Sequence, residues 1–417
     1  MSRLRHALAA LRGMPRRRVA LLAPVGLVLI VAVIVLGRGD GSTVTTDEED
    51  RPDRSRQVST SKNVPGTETT AETTAAPTTA APTTTAPPTT LAVEAVPVAD
   101  EASGQAGPQL LPVLPPEPWP QGCCAPLTNL GFDSPEGEPG PAVAVKVSNA
   151  PEADPHTNLH RADLIYELRA EDVSRFIAVY HSRAADVIGP IRSARTADPL
   201  IVKSLGRPML VFSGGNDYVM NMMQAREDDG TLVQMTSGRA PGQFFRTDDR
   251  VLPHNFYGHR PGWIAARGAE TASPARQTDF GGGDGVNTVT GQPVKVSVSI
   301  GQSDSWWQWD DTSQMWLRFQ HGRPHVDKET GYQIGRTSVV ILGTGYPPSP
   351  ADRRSPEADS DGSGAAWVLT GRDSIHGPWT RSSPSDTWHL TDDRGRTITL
   401  NSGPVYIGLT DVPPRIE

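Results

Sequence analysis

The chain has 417 residues, a net charge of −8, 36% hydrophobic residues and two cysteines. Its first 18 residues hold six arginines and no acid, so the remainder carries −14; that excludes a basic nucleic-acid face and points instead to a membrane. Cys123 and Cys124 are adjacent, which excludes a disulfide framework or a cysteine-built zinc site and leaves a vicinal bridge, an intermolecular bridge or free thiols.

In chain order, residues 1–18 form a basic tail. Val19 to Leu36 follows as 18 residues without a charge. A bilayer core takes about 20 apolar residues, so this segment is long enough to span. Arginine excess on its N-terminal side places that side in the cytoplasm. No small-x-small cleavage site follows Leu36, so the reading is a retained single anchor over 19–37 with the bulk of the chain outside. Residues 38–120 are predicted to be a disordered stalk. Between 61 and 90, 23 of 30 residues are Thr, Ala or Pro, too little apolar surface to offset chain entropy.

Order resumes near Pro141. The fold class predicted is α+β: an α/β domain over 125–277, then a small all-β domain over 290–412, behind a transmembrane helix and the stalk. In the first domain 142–147, 162–168, 175–181 and 208–212 read as strands, and 196–205 and 216–226 as helices, the first with Thr196 as a cap. Residues 278–292 read as a linker. In the second domain Val294 to Ile300 alternates with period two, and seven of nine tryptophans follow. Strands are predicted at 338–342, 365–370, 397–401 and 405–409, with a polar loop over 347–364.

The segments Asn149-Ala150-Pro151, Ala162 to Glu167, Arg175 to Val179, Ile188 to Arg195 and Pro253-His254-Asn255 resemble, in order and spacing, the YerB-like family of bacterial envelope lipoproteins. Trp309-Asp310, Gly322 to Asp327 and Ser338 to Ile341 resemble that family's second domain. The resemblance covers about 125–410. It implies an envelope location and a two-domain architecture, and no reaction, since the family's function is unknown. This chain departs from the family in replacing a lipidated cysteine by an anchor and stalk.

The cluster richest in chemistry is Gly189 to Arg195. Arg192 and Arg195 are three apart, so a first helical turn would point both one way. Two guanidiniums at a helix N-terminus suit phosphate or carboxylate. Arg175, and Arg246 or Arg250 ahead of His254, are placed to complete the site; pairing with Asp163, Glu167, Glu171 or Asp198 is the structural alternative. Gly214 and Gly215, in the turn Ser213 to Asp217, are candidates for a pocket rim. His254 and Asn255 offer a base or ligand. The predicted ligand-binding set is therefore Arg192, Arg195, Arg175, Asp163, Glu167, His254, Asn255, Gly214 and Gly215. His156 and His160 have helical metal spacing, but Pro155 precedes them and no metal site is expected. Trp306, Trp307 and Trp309 are read either as core or as an aromatic row for sugars.

These residues suggest a membrane-anchored extracytoplasmic binding or regulatory module for cell-wall assembly, without cofactor. Its partners are expected to be cell-wall glycan, lipid-linked phosphate or an envelope protein, with no nucleic acid. The alternative is an enzyme. Strand, Ile-x-Arg-x-x-Arg and an upstream Asp resemble in layout the LytR-CpsA-Psr transferases, which act on polyprenyl-phosphate-linked glycans. That resemblance implies pyrophosphate on Arg192 and Arg195 and a divalent cation held with help from Asp163.

Overall fold

The computed structural model describes residues 113–133, 140–281 and 289–417. The predicted tail, the anchor and the stalk up to residue 112 lie outside them. Among the described residues no helix is long and apolar enough to cross a membrane.

The first half of the described chain contains β1 (Val143–Ser148), β2 (Leu164–Ala170), β3 (Val173–Tyr180), β4 (Val187–Ile188), α1 (Ala197–Val202), β5 (Met209–Val211), α2 (Asp217–Asp228), β6 (Val233–Met235), β7 (Phe244–Arg246), β8 (Phe256–His259) and α3 (Arg260–Arg267). The second contains β9 (Lys295–Ile300), β10 (Ser303–Asp310), β11 (Met315–Gln320), β12 (Arg323–Pro324), β13 (Gly335–Arg336), β14 (Ser338–Gly343), β15 (Gly362–Thr370), β16 (Asp373–Arg381), β17 (His389–Leu390), β18 (Val405–Thr410) and β19 (Arg415–Ile416). The protein is mostly β, with three α-helices among the described residues.

Both halves contribute to one mixed ten-stranded sheet, ordered β17-β16-β15-β14-β18-β2-β3-β1-β5-β6. The join is parallel: β18 runs beside β2 with Val405 opposite Leu164 and Gly408 opposite Glu167. The expected separation into an α/β body and an all-β body is therefore replaced by a shared sheet. A second sheet, β12-β11-β10-β9-β19, comes entirely from the second half.

Alternate residues of the central strands feed two cores. On one face Ala144, Ile177, Val179 and Leu210 pack with Ile201 of α1, Val219 and Met223 of α2 and Trp379. On the other Val143, Val145, Phe176 and Ala178 pack with Val296, Val298, Trp307 and Trp316 of the small sheet and Trp263 of α3. Strand β1 is covered on both faces and buried throughout, with four apolar residues and the polar Lys146 and Ser148. The small sheet covers with one face only, so β9 alternates between buried and partly buried residues.

Four local expectations change. Residues 113–120, assigned to the stalk, are docked: Trp119 is buried under Arg183, and Glu117 pairs with His160, Arg161 and Arg183. Helix α1 stops at Val202 and continues as a 3₁₀ turn over Lys203–Leu205, and the Thr196 hydroxyl makes no cap; it meets Ser349 Oγ at 2.7 Å instead. Residues 397–401 form no strand of their own and supply Ile398 and Leu400 to the core. Helix α2 begins one residue inside its predicted start because Asn216 caps it, its Oδ1 accepting from Val219 N–H at 3.0 Å. Cys123 and Cys124 form a disulfide with one another.

Candidate functional site

Strands β1 and β3 run antiparallel with Ser148 opposite Arg175. Around that end of the sheet lies a cluster of cations. Lys146 is buried on β1 and its Nζ donates to Asp198 Oδ1 at 2.6 Å. Burial pulls the Lys146 ammonium below its ordinary pKa against the opposing pull of Asp198. Arg175 donates through Nη1 to Ser193 O at 3.0 Å and through Nη2 to Glu171 Oε2 at 3.0 Å. Its burial and the neighbouring Arg195 bring its pKa down to about 10. Arg195 grips the same carboxylate, with Nε 2.9 Å from Glu171 Oε1 and Nη2 in contact with it.

Glu171 thus bridges two arginines from the β2–β3 turn, where it holds a left-handed φ of 58°. Burial works against its ionisation, yet Arg175 and Arg195 together hold its carboxyl below the usual range. Ser355, from the second half of the chain, donates to Glu171 Oε1 at 2.9 Å. Beside it a pocket of about 260 Å³ is lined by Glu171, Ser193, Arg195, Gly215, Asn216 and Ser349, among others.

Arg192 differs from its neighbours. Among the described residues its side chain makes no ion pair, and its Nε is shielded from solvent without a hydrogen-bond partner. Burial first, and then Arg195, lowers its pKa. His254 completes this end, with Nδ1 3.1 Å from Ser148 Oγ. Its pKa is lowered, first by burial and then by Arg192. Lys146, Arg175, Arg192 and Arg195 stand among the carboxylates of Glu171 and Asp198, and Asp352 lines the same pocket in the field of Arg195.

Of the residues singled out from sequence, Arg175, Arg192, Arg195 and His254 converge here, and Gly215 lines the pocket while Gly214 turns the chain at φ 140°. Arg192 and Arg195 do so from irregular chain ahead of α1, not from a helical turn, and the six-residue α1 presents no anion site. Asp163 stands elsewhere. It is buried and accepts from the backbone N–H groups of His181 and Ser182 and from the Ser182 hydroxyl. Glu167 is committed to Asn149, Ser174, Arg318 and Tyr406. Asn255 accepts from Arg246, and Arg250 donates to the carbonyls of Glu152 and Pro155. Lys146 and Ser355 escaped sequence reasoning. A lone charge inside the apolar run 142–147 was a signal for the first; nothing in sequence marks the second.

Behind the cluster lies a buried polar chain. His156 Nε2 is 2.6 Å from Ser148 O, His156 Nδ1 is 2.8 Å from His325 Nε2, and Arg318 Nη1 is 2.7 Å from His325 Nδ1. With Asp154 these histidines have the proximity of metal ligands. Their hydrogen bonds do not fit a metal: Arg318 can only donate, so His325 Nδ1 accepts and its Nε2 must carry the proton. His160, four residues from His156, lies apart against Glu117 and Asp327. Of the tryptophans, Trp307 and Trp309 are core; Trp306 faces outward, stacked on Phe319.

Residues 127–272 match the domain described as "Protein of unknown function (DUF3048) N-terminal domain", and 294–407 match its C-terminal domain. "Putative lipoprotein YerB" of Bacillus subtilis (strain 168) is 27% identical over 258 residues, 58% of this chain and 73% of that protein. The crystal structure of YerB protein from Bacillus subtilis superposes with a TM-score of 0.61 at 20% identity, covering 71% of this chain and all of the other. That likeness establishes the shared fold.

Proposed function

The chain belongs to the two-domain DUF3048 family of proteins of unknown function, and on that footing we propose that it is an extracytoplasmic envelope protein that binds an anionic ligand through Arg192, Arg175 and Arg195. The envelope location is supported by the similarity to a protein named as a lipoprotein, and by the apolar segment 19–36 behind six arginines. In this reading the chain is a ligand-sensing or regulatory module of cell-wall assembly, held to the membrane by one anchor.

The observation that carries the reading is the Arg192 guanidinium, which makes no ion pair among the described residues and lies beside Arg175 and Arg195. A half-buried guanidinium whose donors no carboxylate takes up can bind an incoming anion without first breaking an ion pair. Arginine offers that anion two parallel hydrogen bonds and keeps its charge when desolvated. The transferase alternative asks Asp163 to hold a cation, and its carboxylate is already occupied by 181–182.

The test is calorimetric titration of the full chain with inorganic phosphate and pyrophosphate. Binding that falls at least tenfold in Arg192→Ala supports the site. Equal binding by wild type and variant, or none by either, removes it.

A further inference from the structure

We propose that the outer face of the small sheet carries a second binding site, which seats one ring of an uncharged saccharide against Trp306. It shares no lining residue with the pocket beside Glu171. Strand register builds it. Pro324, Phe319, Trp306, Ser297 and Arg415 are successive cross-strand partners on β12, β11, β10, β9 and β19. Directly paired residues of antiparallel strands project to one face. For Trp306 that is the outer face, since Ser305 and Trp307 on either side of it are buried. Phe319 takes one side of the indole, with ring centroids 5.0 Å apart and planes within 6°. On the other side the partner is Ser297, too small to cover an indole, and the next residue in the row is Arg415. Strands lie about 4.8 Å apart, so the backbones of Trp306 and Arg415 are separated by roughly 10 Å. Between them, over Ser297, lies part of a cavity of about 670 Å³ that all three residues line. A single ring seated there would lie within about 4–5 Å of each wall, close to van der Waals contact.

The ends of the trough are polar. Two residues along β9 in each direction is about 7 Å. At one end Ser299 Oγ donates to Asp304 Oδ1 at 2.6 Å. At the other Lys295 Nζ lies 3.1 Å from Glu417 Oε2 and 5.9 Å from the Trp306 ring centroid, and Arg415 Nε lies 3.0 Å from Glu417 Oε1. The charged side chains lining the cavity are thus Lys295 and Arg415 against Asp304 and Glu417, with His321 beside them. Burial lowers the His321 pKa, so that ring is neutral near pH 7. Neither sign dominates: an anion would meet two carboxylates and a cation two basic groups. A saccharide suits both parts of this lining. Its C–H face stacks on the indole, and its hydroxyls donate and accept at once, so they satisfy ammonium and carboxylate alike. A flat aromatic ligand would fill the same gap but cover those polar groups without pairing them, which costs affinity.

The experiment titrates the full chain by calorimetry with cellotriose and triacetylchitotriose, two uncharged oligosaccharides, and with trigalacturonate and indole. At least one uncharged trimer is expected to bind, about tenfold or more tighter than trigalacturonate or indole. Trp306→Ala removes the stacking face, and Ser297→Tyr fills the floor while leaving Trp306 in place. Each should lower the affinity for that trimer about tenfold or more, and Trp306→Phe, which keeps an aromatic face, should retain more of it than Trp306→Ala. Both positions lie outside the two cores, so the variants should keep a cooperative melt; should Trp306→Ala fail to fold, Ser297→Tyr and Trp306→Phe carry the test. Binding of neither uncharged trimer, or binding that Ser297→Tyr or Trp306→Ala leaves unchanged, overturns the site. Trigalacturonate or indole as tight as the better trimer overturns the uncharged saccharide as its ligand.

Discussion

His325 Nε2 lies 2.8 Å from His156 Nδ1, and the direction of that hydrogen bond is fixed from both ends. Arg318 donates to one terminus of the chain and Ser148 O accepts at the other, so both imidazoles are neutral and each donates toward Ser148. A proton added to either ring would oppose a donor already in place.

This fixes a pH dependence. Burial pushes His156 down to about 4, and burial with Arg318 pushes His325 well below its ordinary value. The unfolded histidines titrate near 6.5. Between those limits the unfolded state binds more protons, so stability is complete above about pH 6.5 and falls as pH drops toward 4. His156 alone accounts for ~3 kcal/mol of that loss. Urea denaturation at pH 7, 5.5 and 4.5 checks it. His156→Asn should be less stable at pH 7 and show a shallower fall; a parallel fall in both proteins would refute the assignment.

Of the clustered cations, Lys146, Arg175 and Arg195 make ion pairs and Arg192 makes none among the described residues. Lys146 and Asp198 are both buried and pair at 2.6 Å. Lys146→Met strands the Asp198 carboxylate and should cost about 3–5 kcal/mol. Adding Asp198→Asn removes the stranded charge, keeps an acceptor for Arg195 N–H, and should recover most of the loss. Arg192→Ala, which breaks no ion pair, should change stability by no more than about 0.5 kcal/mol. Denaturant midpoints rank the variants. An Arg192→Ala protein as unstable as Lys146→Met would make Arg192 structural.

What sequence revealed follows from how local each signal is. The period-two run at β9 identifies a strand with one covered face, and the apolar run of β1, interrupted only by Lys146 before its terminal Ser148, a strand with two. Turn residues Gly214 to Asn216 marked the start of α2. The pairing of β18 with β2 was not legible, because Val405 and Leu164 meet across most of the ordered chain and no local pattern encodes that partnership. The arginine cluster was legible as residue types; its arrangement was not. Glu171 reaches Arg175 and Arg195 only because the β2–β3 turn folds it back, and Ser355 arrives from a loop that sequence marks only as polar.

The shared sheet predicts that the halves are not independent. Residues 113–281 alone would leave the Leu164–Glu167 edge of β2 without its parallel partner and strip Val340, Trp379 and Leu409 from one core. Exposed edges with apolar faces aggregate. That fragment is expected to aggregate or to melt without a cooperative transition, whereas the chain containing 113–417 unfolds in one step. A single sharp transition for the isolated fragment, seen by calorimetry, would show that the first half folds unaided.

On the anion-site proposal, Glu171 occupies the position an incoming anion would take between Arg175 and Arg195. Its carboxylate is bound by Arg175 and Arg195 and by the Ser355 hydroxyl, so a ligand that uses those arginines must compete with it. Glu171→Gln keeps the turn and the volume but withdraws the charge. Phosphate affinity is then expected to rise about tenfold, equivalent to ~1.4 kcal/mol. Stability should fall by ~1–2 kcal/mol as the Arg175 and Arg195 guanidiniums lose a charged partner. The two effects separate in one titration series: calorimetry reads the affinity and denaturant the stability. If Glu171→Gln binds phosphate no better than wild type while losing stability, Glu171 is a structural brace and the ligand engages Arg192 without reaching the bridged pair.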